Sequence, residues 1–154
     1  MTDFEIRPAS GQDRDAVVAL LRAAKLPPEG LDEQFGDPYA VAVSGGRVVG
    51  AAGVEVHGGA GLLRSVVVDG TWRGRGLGAA LTQERLRWAR QRGLDAVYLL
   101  TDTAGGYFPR LGFAPVERSE VPEAVRGSLQ FASVCPSTAT VLGLKLREAA
   151  CATP

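Results

Sequence analysis

Residues 66–81 read VVVDGTWRGRGLGAAL. An apolar run stops at Asp69, a short loop follows, and Gly74, Gly76 and Gly78 alternate with Arg75 and Leu77 before a helical stretch begins. A strand that passes through a glycine-rich turn into a helix builds an anion site. The first N–H groups of the helix lack internal partners, and the helix dipole adds positive potential there. Glycine lets a phosphate approach bare backbone, and the guanidinium groups of Arg73 and Arg75 suit phosphate geometry. A plain tight turn carrying surface arginines has the same spelling, so the spacing alone leaves both readings open.

The rest of the chain supplies the context. Phe4 to Arg7 reads as a short strand. Ser10 with Asp13 three positions on forms a capping box, and Val17, Leu20, Leu21 and Ala24 then set a helical period to about Lys25, before Pro27 and Pro28. The strand YAVAVS at 39–44 returns through Gly45-Gly46 into RVVGAAGVEVH. Gly58, Gly59 and Gly61 mark the next turn, and LLRSVVVD follows as a further antiparallel strand. After the glycine loop, Leu77, Ala80, Leu81, Trp88 and Ala89 share a helical face on which Glu84 stands without an explanation, and Gly93 ends the helix. AVYLLT at 96–101 is apolar without alternation, as a parallel or central strand would be. GGYFPRLGF predicts a short, late-starting helix ending at Gly112, since Gly105 and Gly106 oppose helix and Pro109 fits a first turn. Phe113 to Val116 predicts a strand, residues 117–136 are irregular or helical, and STATVLGLKL is the last strand. With no repeat or linker, the reading is one domain over 1–154, α/β (α+β), around a mixed, mostly antiparallel central sheet with flanking helices.

Composition removes several function classes. The 17 Lys+Arg balance 17 Asp+Glu, which takes weight from nucleic-acid binding. The charged N-terminus carries no signal-peptide core, and no apolar run nears the ~20 residues of a spanning helix. Cys135 and Cys151 are the two cysteines and match no zinc or redox spacing, while His57 is the single histidine. These point to a cytoplasmic protein with no metal and no membrane partner.

Two phosphate-binding readings compete for the loop. Gly74, Gly76 and Ala79 satisfy the dinucleotide fingerprint G-x-G-x-x-A, with Asp95 or Asp102 as the downstream acid, which would make an NAD(P)-binding oxidoreductase. That fingerprint should follow its strand at once, yet DGTWR intervenes, and the preceding strands are antiparallel hairpins rather than a βαβ unit. The other reading is a resemblance. VVVDGTWRGRGLG resembles the coenzyme A pyrophosphate loop of the GNAT superfamily of N-acyltransferases, whose pattern Arg/Gln-x-x-Gly-x-Gly/Ala is matched by Arg73, Gly76 and Gly78. TDTAGGYFPRLGF is similar to that family's second signature, and the order of elements resembles the GNAT fold across the whole chain. Thr101 stands where many members carry Asn, and Phe108 where many carry Tyr. YFPRLGF followed by VPEAVRGSLQFASVCPSTA resembles the members that acetylate free amino acids, the N-acetylglutamate-synthase-like and arsenic-resistance-associated N-acetyltransferases, and RSVVV, YFPRLGF and FASVCPSTATV look most like the latter.

The resemblance implies acetyl-CoA as co-substrate and a small-molecule amine as acceptor, an α-amino acid or a toxic analogue of one, with a homodimer left open. It implies that Val66, Val67 and Val68 hold pantetheine, that Arg73, Gly74, Arg75, Gly76, Leu77 and Gly78 hold the pyrophosphate, and that Thr101 and Phe108 border the cofactor. A neutral amine would attack the thioester, so the site needs an oxyanion donor and a proton acceptor. If 58–61 form a four-residue turn, Glu55 lies opposite Arg64, on one face with His57, Val66 and Val68. Glu55 is then the first candidate base and His57 the second, while a plain Glu55–Arg64 ion pair stands as the competing reading. Arg64 or Arg126 can anchor a substrate carboxylate. The family's usual acid is replaced by Phe108; the adjacent Tyr107 would point ~100° away on a helix, leaving Tyr107 or water to protonate the thiolate. A non-catalytic acyl-CoA sensor on the same fold is the alternative from another class.

Overall fold

The structure, a computed structural model, describes residues 4–26, 28–101, 108–128 and 140–146. Seven strands form one sheet in the order β1-β2-β3-β4-β5-β7-β6. They are β1 (Glu5–Pro8), β2 (Tyr39–Ser44), β3 (Arg47–His57), β4 (Ala60–Val68), β5 (Ala96–Thr101), β6 (Ala114–Pro115) and β7 (Thr140–Lys145). All neighbouring pairs are antiparallel except β4 with β5. Among the described residues three α-helices accompany them: α1 (Arg14–Ala23), α2 (Leu77–Gln91) and α3 (Glu123–Arg126). The strands before the glycine loop are thus antiparallel neighbours, and among the described residues no βαβ unit precedes it as a dinucleotide fold requires.

The two sheet faces are covered by different helices. Val17 and Leu21 of α1 pack with Tyr39, Val41, Ala51 and Val67. Further along the same face, Val121 and Val125 around α3 pack with Ala60, Leu62 and Val141. On the opposite face α2 lays Leu77 and Leu81 against Ala42, Val49 and Ala52, and Leu86 and Ala89 against Val54, Leu63, Val97 and Leu99. Each fully buried Leu or Val is worth roughly 1.5–3 kcal/mol in transfer free energy. The two helical stripes therefore fix which way every strand residue points.

Several ends differ from the periodicity. Helix α1 stops at Ala23, and Lys25 takes φ 60, so the chain has turned before the prolines are reached. The capping box of Ser10 and Asp13 is present, and Asp13 is shared with the guanidinium of Arg7 at 2.8 Å. The strand expected at 113–116 is only Ala114–Pro115. The helix expected before Gly112 is a 3₁₀ turn at Pro109–Leu111, closed by Gly112 at φ 104. Gly93, at φ 87, ends α2, with its N–H on Arg90 O at 3.0 Å and that of Leu94 on Ala89 O at 3.0 Å. Glu84 also finds its reason. It binds the neighbouring Arg85, whose side chain is fully buried and also donates to Asp37 O at 2.7 Å. A buried guanidinium needs such a counter-charge, and the group ties α2 to the loop before β2.

Candidate active site

Strand β4 is where the site begins. It pairs with β5 only at Ala60↔Ala96, Gly61↔Val97 and Leu62↔Tyr98. Beyond Leu62 the two strands part, although β4 runs on to Val68 and β5 to Thr101. The N–H of Asp69 goes to Val49 O at 2.8 Å. Backbone groups alternate sides along a strand, so those of Val68 and Val66 turn away from β3, into the gap that β5 leaves.

The glycine loop closes the wide end of that gap. Asp69 accepts from Thr71 N and Thr71 Oγ1, both at 2.9 Å, and holds a 3₁₀ turn at Gly70–Trp72. Gly74 and Gly76 take φ 81 and 78, a left-handed backbone that a side chain opposes. A Cβ at either would meet nothing within 4 Å, so open space lies over both. Helix α2 starts from Gly76 with no side-chain cap, and its first internal bond is Ala80 N to Gly76 O at 3.0 Å. The N–H groups of its opening turn have no partner within the helix. Arg75 stacks over Trp72 at 4.8 Å, which holds one cation beside the turn, and Arg73 is exposed next to it.

The second group lies on the α1 side of the sheet. The β3–β4 turn has two residues, Gly58 and Gly59, because His57 pairs with Ala60. The four-residue turn expected from sequence would have placed Glu55 opposite Arg64; Glu55 instead faces Leu62, and Arg64 pairs with Gly53. Glu55 and Arg64 still meet, diagonally, with Nη1 to Oε2 at 3.1 Å and both side chains almost fully buried. A bulge explains the second difference. The register slips between Ala51 and Gly53, and Ser65 sits at φ 60. Past it the side chains exchange faces: Val67 joins the α1 cluster, whereas Val66 and Val68 turn to α2. Val66 and Val68 therefore do not share the face of Glu55, contrary to the sequence expectation; an inserted residue reverses every later side chain.

Glu55 collects three partners. His57 Nε2 lies 3.1 Å from Oε1, Arg64 Nη1 donates to Oε2, and Tyr39 Oη donates to Oε2 at 3.4 Å. Burial works to raise its pKa, but the hydrogen bond from His57 and the charge of Arg64 together prevail and hold the carboxyl below the usual range. Burial pushes the Tyr39 hydroxyl well up, so it stays a neutral donor. The ring of Tyr39 lies on Gly53, where any Cβ would collide with it. From outside, the side-chain amide of Gln34 receives the N–H of Val56 at 2.7 Å and donates to Val56 O at 2.9 Å, gripping the segment between Glu55 and His57. Gln34, Tyr39 and the bulge at Ser65 have no local sequence signature; the signal for this cluster is the spacing Gly53-x-Glu55 opposite a strand that carries a tyrosine.

The remaining candidates are dispersed. Thr101 ends β5, opposite Thr140. Phe108 packs edge-on against Phe113 at 6.0 Å, on the α2 side. Arg126 is exposed on α3, with Nε donating to Val121 O at 3.0 Å. Tyr107 and Asp102 lie outside the described residues, as do both cysteines. Among the described residues no three His, Cys, Asp or Glu gather as metal ligands, and no helix is long and apolar enough to cross a membrane.

Comparison with known proteins places this geometry. The model of the acetyltransferase (GNAT) family matches residues 11–113. N-acetylglutamate synthase from Neisseria gonorrhoeae, solved with coenzyme A and N-acetyl-glutamate, matches 96% of the chain at a TM-score of 0.81 and 20% identity. This chain covers only 36% of that enzyme's length. A Mycobacterium tuberculosis protein in complex with CoA matches 93% of this chain and 99% of its own, at 25% identity and a TM-score of 0.77. The ribosomal-protein-S18-alanine N-acetyltransferase from Escherichia coli matches 94% of this chain and 95% of its own, at 17% identity and a TM-score of 0.72.

Proposed function

The chain belongs to the GNAT acetyltransferase family, and we propose that it acetylates the amine of a small molecule, an α-amino acid or a toxic analogue of one, by direct attack in a ternary complex. Membership of the family and the CoA-bound neighbours support an N-acetyltransferase with acetyl-CoA as co-substrate. The single observation that carries the site is that β4 parts from β5 beyond Leu62 just where the uncapped start of α2 and the glycine loop stand. In this reading, the pyrophosphate rests on the backbone from Arg73 to Gly78. Pantetheine lies in the gap along Val66–Val68 and takes the place of a strand. Residues 1–154 act as one domain.

The amine nitrogen attacks the thioester carbon, and the carbon–oxygen π pair moves onto oxygen. A backbone N–H beside the Ser65 bulge meets that oxyanion. Collapse breaks the carbon–sulfur bond, and the thiolate takes a proton from water. The proton lost by the amine passes to His57, with Glu55 behind it as the carboxylate that orients the imidazole. This assignment differs from a simple Glu55 base because Glu55 is already saturated by Arg64, Tyr39 and His57, which makes it a weak proton acceptor. Arg126, exposed beside this face, is the candidate for a substrate carboxylate, since Arg64 is buried in its ion pair. The N-acetyl-glutamate bound to the Neisseria enzyme supports an amino-acid acceptor.

The test is an acceptor screen. Incubation with acetyl-CoA and a panel of amino acids, phosphorus- and arsenic-containing glutamate analogues, and peptide amines is followed by free-thiol release and mass spectrometry. An acetylated amino acid supports the reading; turnover confined to peptide N-termini overturns the acceptor class.

A further inference from the structure

Arg64 touches both halves of the proposed chemistry. Its Nη1 donates to Glu55 Oε2 at 3.1 Å, and Glu55 Oε1 lies 3.1 Å from His57 Nε2. Its Nε donates to the hydroxyl of Ser65 at 3.0 Å. Those two N–H groups belong to one conjugated plane, so neither can turn without the other. The side chains of Arg64 and Glu55 are only 1% and 3% exposed. In such an interior both bonds are electrostatically stronger than they would be in water.

The Ser65 end carries strain. Its φ of 60 falls in the left-handed region, which a side chain opposes. Among the described residues every other position with positive φ is a glycine, except Lys25. Glycine would sit at position 65 without strain, but it would not offer Arg64 Nε that hydroxyl. The serine therefore has a task that the backbone turn alone does not set. The register slips here, between Ala51 and Gly53, and the later side chains exchange faces. The bulge thus sets where the backbone N–H groups of β4 enter the gap. Resting on the oxyanion and proton-acceptor assignments proposed above, we infer that Arg64 is a positioning residue: its guanidinium ties the Glu55–His57 pair to the Ser65 bulge, so that proton acceptor and oxyanion donor keep one fixed separation.

Two variants test this with acetyl-CoA and the amino-acid panel. Arg64→Lys keeps a positive charge for Glu55 but puts no N–H where Nε stands. Ser65→Gly suits the backbone at φ 60 and removes the acceptor. Each should lower kcat about 10²-fold, while KM for acetyl-CoA stays within a few-fold and the melt stays cooperative. Ser65→Asn should recover most of that rate, since asparagine tolerates the left-handed region and its carbonyl can accept from Nε. NMR relaxation dispersion adds a readout free of turnover. The amides of residue 65 and Val66, quiet in wild type, should show exchange in Arg64→Lys and Ser65→Gly but not in Ser65→Asn. Wild-type kcat in Ser65→Gly overturns the positioning role, whether or not those amides move. A wild type that acetylates no amine of the panel overturns the proposed acceptor class instead. The amides then decide the tie alone: exchange in both variants upholds it, and quiet amides overturn it.

Discussion

The glycine loop and the Glu55 cluster handle their polar groups in opposite ways. At the loop, α2 begins without a side-chain cap and the space above Gly74 and Gly76 is open. In the cluster, Glu55 is bonded to Arg64, His57 and Tyr39, and little of it reaches solvent. Open donors await a ligand, whereas satisfied ones hold a geometry. In the proposed reading the loop therefore binds, and the cluster positions a single imidazole. A saturated carboxylate is strong as a counter-charge and poor as a base.

The largest expected effect tests the cluster. Glu55→Gln should lower turnover by ~10²–10⁴-fold at saturating acetyl-CoA, with the residual rate rising with pH as solvent supplies free amine. It should also cost about 3–5 kcal/mol, because the buried Arg64 loses its counter-charge. His57→Gln separates the two roles, with a similar fall in turnover but little change in melting temperature. If both variants turn over at near wild-type rates at pH 7, the cluster is only a structural ion pair.

Next comes the loop. Gly76→Val places a β-branched residue at φ 78, a strain of about 1–3 kcal/mol. Acetyl-CoA affinity should drop ~10–100-fold by calorimetry, in a protein whose sheet still melts cooperatively. Unchanged affinity would remove the loop from the binding site. A smaller effect concerns Phe108, which packs on Phe113. Phe108→Leu should cost on the order of 1 kcal/mol of stability and leave turnover within a few-fold of wild type. A loss of ~10²-fold without destabilisation would put Phe108 in the chemistry.

The smallest effect sharpens the contrast through pH. The folded-state pKa of Glu55 is lowered, so its contribution to stability is fully present above the unfolded glutamate value of about 4.3. It is lost as pH falls through the folded value. Thermal melts from neutral to acid pH should show a shallower decline for Glu55→Gln than for wild type. Asp13 and Asp69, also lowered by their hydrogen bonds, supply the background slope in both.

The two regions also differ in how far the sequence announces them. The loop is local: strand, glycines, arginines and helix follow one another within 66–81, and their conformations depend on near neighbours. The sheet order before it is similarly legible, because Gly45-Gly46 and the alternating strands fix short hairpins. The cluster is assembled across the sheet. Its register depends on whether the turn uses two residues or four, and Gly58, Gly59 and Gly61 permit either. The bulge at Ser65 turns on one residue with φ 60, and nothing in the pattern RSVVV distinguishes it from an unbroken strand. Glu84 looked misplaced for a related reason. Its partner Arg85 is buried by contact with Asp37, which is distant along the chain.

The grip of Gln34 on Val56 has a consequence beyond placing His57. Strand β3 outruns β2: their pairing begins at Tyr39↔Gly53, so Val54–His57 would present an open rim on that side. The N–H of Val54 is taken by Pro38 O at 3.0 Å, and both backbone groups of Val56 by one side-chain amide. A primary amide carries the same donor and acceptor as a peptide, but it cannot be extended into a further strand. Gln34 thus caps the ladder against recruitment of another chain. Gln34→Ala would uncover a docking rung for foreign β-structure, next to the residues proposed to take the proton.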